Sequence, residues 1–352
     1  MRLGLTLSVS DAADLAASVA LAEEADRLGF DSCWASEAYG YDAATVLATV
    51  AARTRRIGVG SGVFQIPARA PAMTAMTAAT LDALSQGRFR LGLGVSGPQV
   101  SEGWYGVRFA DPLGRTREYI DIVRTVLARK VLAHTGTHYT LPLPDGPGKA
   151  LRLATRPVRT DIPIYLAAVG PRNLELAGEI ADGWLGVFVS PAYLPTSLGY
   201  VRAGWERGAR PEADRAAFDI VASVPVAVGD DVDACADLVR PYAALYLGGM
   251  GSRTQNFYNA LAARMGYAEQ AAQVQQLYLE RRHRDAARAV PVEFLDETAL
   301  LGPSTRIVER LRAYAEAGVT TLALLPFGQT VEDRVNALRT TAEAWIASGV
   351  GD

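Results

Sequence analysis

The sequence predicts an α/β fold, a (β/α)8 TIM barrel closed by parallel strands. Three observations carry that expectation. Strand-like and helix-like segments alternate from residue 2 onward. Four such pairs fit into the first 130 residues, the pace of a barrel or an open parallel sheet. Eight strand-like segments occur in all, with long insertions at only two places, which favours closure over a doubly wound sheet.

Taken in order, Arg2–Leu7 (RLGLTL) is read as strand one. Asp11–Leu28 is read as a helix with Leu15, Val19, Ala22 and Ala25 on one face, ended by Gly29. Asp31–Ala35 is strand two, and helix two runs from Asp42, a plausible N-cap, to Arg53. Arg56–Gly60 is strand three. Helix three, Pro71–Leu84, begins with a proline suited to a first turn. Arg88–Gly94 is strand four and Pro112–Ala128 helix four. A Gly/Pro-rich excursion follows near His134–Thr160. Pro163–Ala168 is strand five, Pro171–Ile180 helix five, Gly183–Val187 strand six, Tyr193–Gly208 a helix, and Phe218–Val228 strand seven. Residues from about 231 to 295 are mostly helical and too long for one crossover, so they are read as an insertion. Pro303–Ala317 is the last barrel helix, Thr320–Leu325 strand eight, and Val331–Ala347 a terminal helix. The whole chain, 1–352, is read as one domain.

Composition narrows the function. Hydrophobic residues make up 49% and charged residues 21%, the balance of a chain with a packed core. A net charge of −3 argues against a general polyanion binder, so no nucleic acid is expected as a partner. Cys33 and Cys235 are too few for a disulfide framework or a thiolate metal cluster. The start, MRLGLTLSVSDAADL, lacks a basic stretch and a long apolar run, and no run nears the ~20 residues of a spanning helix. A cytoplasmic protein without a membrane partner is expected. Only Lys130 and Lys149 are lysines, so anions must be held by Arg or backbone N–H groups.

In a barrel the chemistry lies where strands end. After strand two, Trp34-Ala35-Ser36-Glu37-Ala38-Tyr39-Gly40-Tyr41-Asp42 offers a pocket wall with a proton donor, or a plain surface loop with a helix cap. After strand three, Gly60 to Pro67 lets backbone approach a ligand, with Val63-Phe64 able to support a flat ring. After strand four, Gly92 to Trp104 is glycine-rich but lacks dinucleotide spacing. After strand five, Ala167-Ala168-Val169-Gly170-Pro171-Arg172-Asn173 leads into a helix N-terminus, a natural phosphate seat or else a plain tight strand–helix turn. His134, His138 and His283 stand at no strand end and show no ligand spacing, so no metal is expected. No GxSxG elbow is present.

Three stretches together resemble the bacterial-luciferase-like superfamily: LAEEADRLGFDSCWASEAYGYDA, RRIGVGSGVFQIPARAPAMTAMTAATLDALSQGRFRLGLGVSGPQVSEGWYG and IPIYLAAVGPRNLELAGEIADGWLGV. Within it the chain is most similar to F420-dependent oxidoreductases related to methylenetetrahydromethanopterin reductase. The resemblance implies a barrel, and coenzyme F420 as cofactor, or FMN in some branches. It puts the cofactor ring over the barrel mouth against Ser61, Gly62 and Val63, with a non-proline cis peptide at Gly62–Val63. It puts the phosphate on Ala168, Val169, Gly170, Arg172 and Asn173, near Gly183 and Trp184. Ser36, Glu37, Gly94, Val95 and Ser96 would complete the pocket.

Where several relatives carry Asp-His, this chain has Ser36-Glu37. That leaves Glu37, Tyr39 and Glu102 as the candidate catalytic proton donors, with Tyr41 a further tyrosine. The implied reaction is hydride transfer between reduced deazaflavin and an electrophilic carbon, C=C or C=N. The substrate would be a small molecule or peptide natural product such as a dehydroamino acid. An FMN-dependent two-component monooxygenase and a non-catalytic flavin-binding barrel are the alternatives. The resemblance also implies a homodimer, and helices two and three, rich in Ala, Thr and Met, suit close packing.

Overall fold

A computed structural model describes residues 1–7 and 12–351 of the chain. Eight strands form the barrel: β1 (Arg2–Leu7), β2 (Ser32–Ala35), β3 (Gly58–Ser61), β4 (Phe89–Gly94), β5 (Ile164–Ala167), β6 (Gly183–Val187), β7 (Asp219–Val228) and β8 (Thr321–Pro326). Each pairs in parallel with the next, and β8 pairs back with β1, Leu322 opposite Leu3, so the ring closes. The outer helices are α1 (Ala12–Leu28), α2 (Ala43–Arg53), α3 (Pro71–Leu84), α4 (Pro112–Leu127), α5 (Pro171–Ile180), α6 (Leu194–Arg207), α7 (Ser304–Ala317) and α8 (Val331–Ser348).

Most expected elements appear within two residues of their predicted bounds. Asp11, the expected start of the first helix, lies outside the described residues. Strand three begins at Gly58 rather than Arg56, because the Asp26 carboxylate takes the N–H groups of Arg55, Arg56 and Ile57 out of the ladder. Short elements add to the expected set. Phe64–Gln65 pairs beside β4, and Leu300–Gly302 pairs beside β7. A hairpin, His134–Thr135 with Thr140–Leu141, sits in the excursion. Short helices cover Pro98–Gly103 and Glu212–Ala216.

Two apolar layers explain the closure. Strand residues such as Leu3, Leu5, Val59, Leu91 and Ile164 belong to the cluster shared with the outer helices. A separate group, Trp34, Tyr165, Val221 and Ala323 with Leu185 against it, fills the inside. The Trp34 and Tyr165 rings meet edge-on at 5.0 Å. Glycine makes the space: a Cβ on Gly60 would stand 2.4 Å from the Trp34 ring, and one on Gly183 2.4 Å from the Tyr165 ring. At the N-terminal end of the barrel, buried Asp219 accepts the hydroxyls of Tyr165, Thr320 and Thr321 and pairs with Arg2 at 2.8 Å.

The excursion straps the outside of α4. Glu118 accepts the N–H groups of Thr137, His138 and Tyr139 and holds the hairpin turn. His134 lies 3.4 Å from Glu118 and His138 3.0 Å from Asp111. Farther along, Arg159 reaches back to the fully buried Asp82 and to the Phe89 carbonyl. The insertion between β7 and α7 is helical, with segments at Val232–Ala244, Phe257–Ala262, Ala268–Leu279, His283–Arg288 and Val292–Thr298. It carries its own apolar cluster, which touches the barrel at Val169, Val187 and Phe327. No described helix is long and apolar enough to cross a membrane.

Candidate active site

The C-terminal ends of the strands surround an open well. Trp34, Tyr165, Val221 and Ala323 are at most 5% exposed, yet Thr6, Ala167, Leu185, Val187 and Ser223, beside and above them, are half-buried. The hydroxyls of Thr6 and Ser223 meet at 3.1 Å across this floor.

One wall is built by β3 and β4. The Gly62–Val63 peptide is cis, as the family resemblance implies, and both residues are half-buried at the rim. Gly94 lets the valine lie flat, since a Cβ there would stand 2.6 Å from Val63 Cγ2. Val95 and Ser96 continue the rim, with Ser96 at a φ of +62°. Gln65 donates from Nε2 to Ser96 Oγ at 3.3 Å, and its buried Oε1 has no partner among the described residues. Ser61 plays another part than the one expected. It is fully buried, donating to the Gly92 carbonyl at 2.8 Å and accepting the Gly92 N–H at 2.9 Å. It stitches β3 to β4 and presents nothing to a ligand.

The adjoining wall is the β5–α5 turn, next to β4 in the ring. Gly170 is the N-cap of α5, and no side chain caps the helix. The N–H groups of Asn173 and Leu174 return to the Gly170 carbonyl, while the Asn173 side chain donates to the Ala167 carbonyl at 3.1 Å. The Gly170 and Arg172 amides have no partner among the described residues. An added Cβ on Gly170 would meet no atom within 4 Å, so the space before these amides is open. Arg264 reaches in from the insertion and donates to the Val169 carbonyl at 3.1 Å. Amides, helix dipole and a guanidinium thus converge on one place.

Three expected contacts there are corrected. The Arg172 side chain is exposed and turns outward to a groove shared with Arg117, Glu175, Glu179 and Arg207, so only its amide faces the turn. Gly183 opens β6 at the opposite end of the barrel, against Tyr165. Trp184 is buried behind the turn, where its Nε1–H donates to the Ala168 carbonyl at 2.9 Å. It braces the loop from outside.

The three proton-donor candidates separate. Both Glu37 oxygens are held by Arg69, at 2.5 and 2.8 Å, and accept the N–H groups of Ala43 and Gln65. Arg69 continues to Asp42 and lies 4.5 Å over the Phe64 ring. Burial works against the Arg69 charge, but the Glu37 carboxylate outweighs it and holds the guanidinium above its ordinary pKa. Glu102 accepts from Arg108 and from the Phe109 N–H, tying its own short helix to the next loop. Tyr39 is 56% exposed on the β2–α2 loop and acts electrostatically on Tyr246 and Tyr278 of the insertion. Ser36 is exposed and donates to the Leu7 carbonyl at 3.0 Å.

Sequence reasoning passed over Gln65, Arg69 and Arg264. Gln65 sat in a strand-end loop already singled out, so its position was signal enough. Arg69 and Arg264 carry no local signal, because each acts on a residue far away in the chain.

Comparison with known proteins gives the chain's family and agrees with the barrel fold. The family model for luciferase-like monooxygenases matches residues 3–321. A Mycobacterium tuberculosis protein, provisionally named a coenzyme F420-dependent oxidoreductase, is 43% identical over 330 residues, 92% of this chain and 94% of its own. The 5,10-methylenetetrahydromethanopterin reductase of Archaeoglobus fulgidus is 28% identical over 86% of each chain. The solved coenzyme F420 dependent tetrahydromethanopterin reductase of Methanopyrus kandleri superposes with a TM-score of 0.81 at 23% identity, over 98% of both chains. The chain belongs to the luciferase-like monooxygenase family.

Proposed function

We propose that this chain is an F420-dependent reductase. The observation that carries the reading is a pair of adjoining walls at the well, on the neighbouring strands β3–β4 and β5. One offers a flat apolar shelf at Gly62–Val63, and the other offers free amides at Gly170 and Arg172 with Arg264 beside them. A planar ring with an anionic tail fits that pair, ring on the shelf and phosphate on the amides. The mycobacterial relative's named dependence on F420 supports deazaflavin over FMN. When bound, the reduced cofactor would supply a hydride to an electrophilic C=C or C=N carbon of a small molecule or peptide natural product, such as a dehydroamino acid residue within a peptide.

The chain's residues then have separable tasks. Val63, Val95 and Ser96 would hold a bound ring. Thr6 and Ser223, hydrogen-bonded to each other, would leave one hydroxyl proton to donate at the floor. Glu37 serves as a positioning residue, fixing Arg69 and the backbone of Gln65. Of the three proton-donor candidates, Tyr39 is the one held in no ion pair among the described residues, 56% exposed on the β2–α2 loop. Glu37 and Glu102 are engaged elsewhere.

We also propose a homodimer through α3. Its outward residues Met73, Met76, Thr80 and Leu84 are exposed and uncharged, and its one charged side chain, Asp82, is buried.

Equilibrium titration with F420 and with FMN tests the reading. F420 should bind more tightly, and the reduced form should be oxidised anaerobically by an acceptor. Tighter FMN binding with oxygen-dependent turnover would replace it with the monooxygenase alternative. Binding without any change of redox state would leave a non-catalytic barrel.

A further inference from the structure

The insertion carries more aromatic surface than its own packing needs. Phe188, directly after β6, is held at a φ of +51°, a conformation that bulky residues seldom adopt. That turn drives its ring into the insertion, where it meets Tyr242 at 5.6 Å, Tyr246 at 5.5 Å, Tyr258 at 6.3 Å and Phe294 at 5.4 Å. In front of it the rings form a row. Phe327, at the end of β8, meets Tyr242 at 5.7 Å; Tyr242 meets Tyr246 at 4.7 Å; Tyr246 meets Tyr258 at 4.7 Å. Phe188 is fully buried, whereas the four rings of the row are half-buried. Val169 and Val187 of the well pack on the same cluster, so the row continues the well.

The hydroxyls of this row are not used up. Tyr242 and Tyr246 form a phenol pair, which spends one hydroxyl proton and leaves the other to be donated. Tyr258 makes no side-chain hydrogen bond among the described residues. Burial raises all three phenol pKa values, so all remain donors at neutral pH. The side chains packed in this cluster, Phe188, Phe294, Val169 and Val187 among them, are uncharged. Tyr39, on the β2–α2 loop, adds to the upward push on the Tyr246 and Tyr278 phenols, after burial.

We propose that this row is the substrate recess, and that it takes a neutral, flat, conjugated carbonyl compound whose oxygen accepts from Tyr246 and Tyr258. Ring faces that are only partly covered select planarity. Two adjacent unspent donors select an acceptor oxygen, because a substrate lacking one leaves them unpaired in a desolvated place. The absence of charge selects against carboxylates and ammonium groups. The inference rests on the reductase reading for the name substrate, but its ligand chemistry is tested without the cofactor.

The probes are coumarin, its saturated analogue octahydrocoumarin, and coumarin-3-carboxylate, titrated calorimetrically into the full chain. Coumarin should bind about tenfold or more tightly than either of the others. Tyr246→Phe and Tyr258→Phe should each weaken coumarin by about three- to tenfold, the worth of one neutral hydrogen bond. F420 titrations on the same variants should be unchanged. Gly170→Asp should weaken F420 and leave coumarin alone. Equal binding of coumarin and octahydrocoumarin, or unchanged coumarin affinity in both phenylalanine variants, would overturn the recess. Failure of F420 to bind the parent, with the coumarin pattern intact, would overturn the cofactor reading and support the recess.

Discussion

Gly170→Asp separates electrostatics from folding at the proposed phosphate seat. The backbone there, φ −89° and ψ 156°, is open to any residue, and an added Cβ meets nothing within 4 Å. The variant should fold normally, and its carboxylate should cap α5 a few tenths of a kcal/mol better than glycine, about 0.3 kcal/mol. The same carboxylate would stand roughly 5 Å from an anion on the Gly170 and Arg172 amides, a repulsion of about 3 kcal/mol at an effective dielectric of ~20. Solvent at the well screens part of that. The remaining loss is about 1–2 kcal/mol, or about five- to thirtyfold in Kd. Fluorescence titration with F420 at low and high salt reads it, and the loss should shrink as salt rises. Gly170→Asn, which caps without charge, should bind within about twofold of the parent. An aspartate variant that binds like the parent, or an asparagine variant that loses as much, would refute the seat.

Other consequences follow from named contacts. Arg159→Ala strands the fully buried Asp82 carboxylate and should cost about 3–5 kcal/mol in urea unfolding; a loss under about 1 kcal/mol would contradict the pair's role. Gly60→Ala must displace the Trp34 ring, costing about 1–3 kcal/mol and shifting tryptophan emission; a silent variant would show that the barrel interior has slack. Glu24 is pulled down to about 2 by the Arg27 hydrogen bond, against burial and with help from Arg339. A depressed carboxylate stabilises above its unfolded pKa and loses that contribution as pH falls. The stability gap between the parent and Arg339→Ala should therefore be small, under about 1 kcal/mol, at neutral pH and close between about pH 4.5 and 2. A gap that widens in acid would refute it. Light scattering should give a dimer mass, and Met76→Glu should give monomers; a monomeric parent would remove the α3 interface.

The fold was legible because its signals are local. Alternating RLGLTL and a prolyl start at Pro71 or Pro171 need no knowledge of the rest of the chain. Bounds slipped where a distant side chain intervened, as Asp26 does at the head of β3. The candidate site was legible in its backbone parts: Gly62–Val63, Gly94–Ser96 and the turn at Gly170 all stand at the well. It was misread where side-chain direction decides. Ser61 and Trp184 face away from the well, Gly183 sits at the wrong end of its strand, and the Arg172 side chain leaves its helix on the solvent side. The barrel alternation predicts this, since only every second strand residue points inward. The aromatic row from Phe327 to Tyr258 was invisible for a different reason: its members come from β8 and two separate helices, and only folding brings them together.

A crystal structure of the chain with F420 tests the account most directly. The ring should lie within about 4 Å of Val63 at the mouth of the well, with the phosphate on the Gly170 and Arg172 amides beside Arg264. Density for the cofactor outside the barrel mouth, or a ring oriented with its tail toward Tyr258, would contradict it.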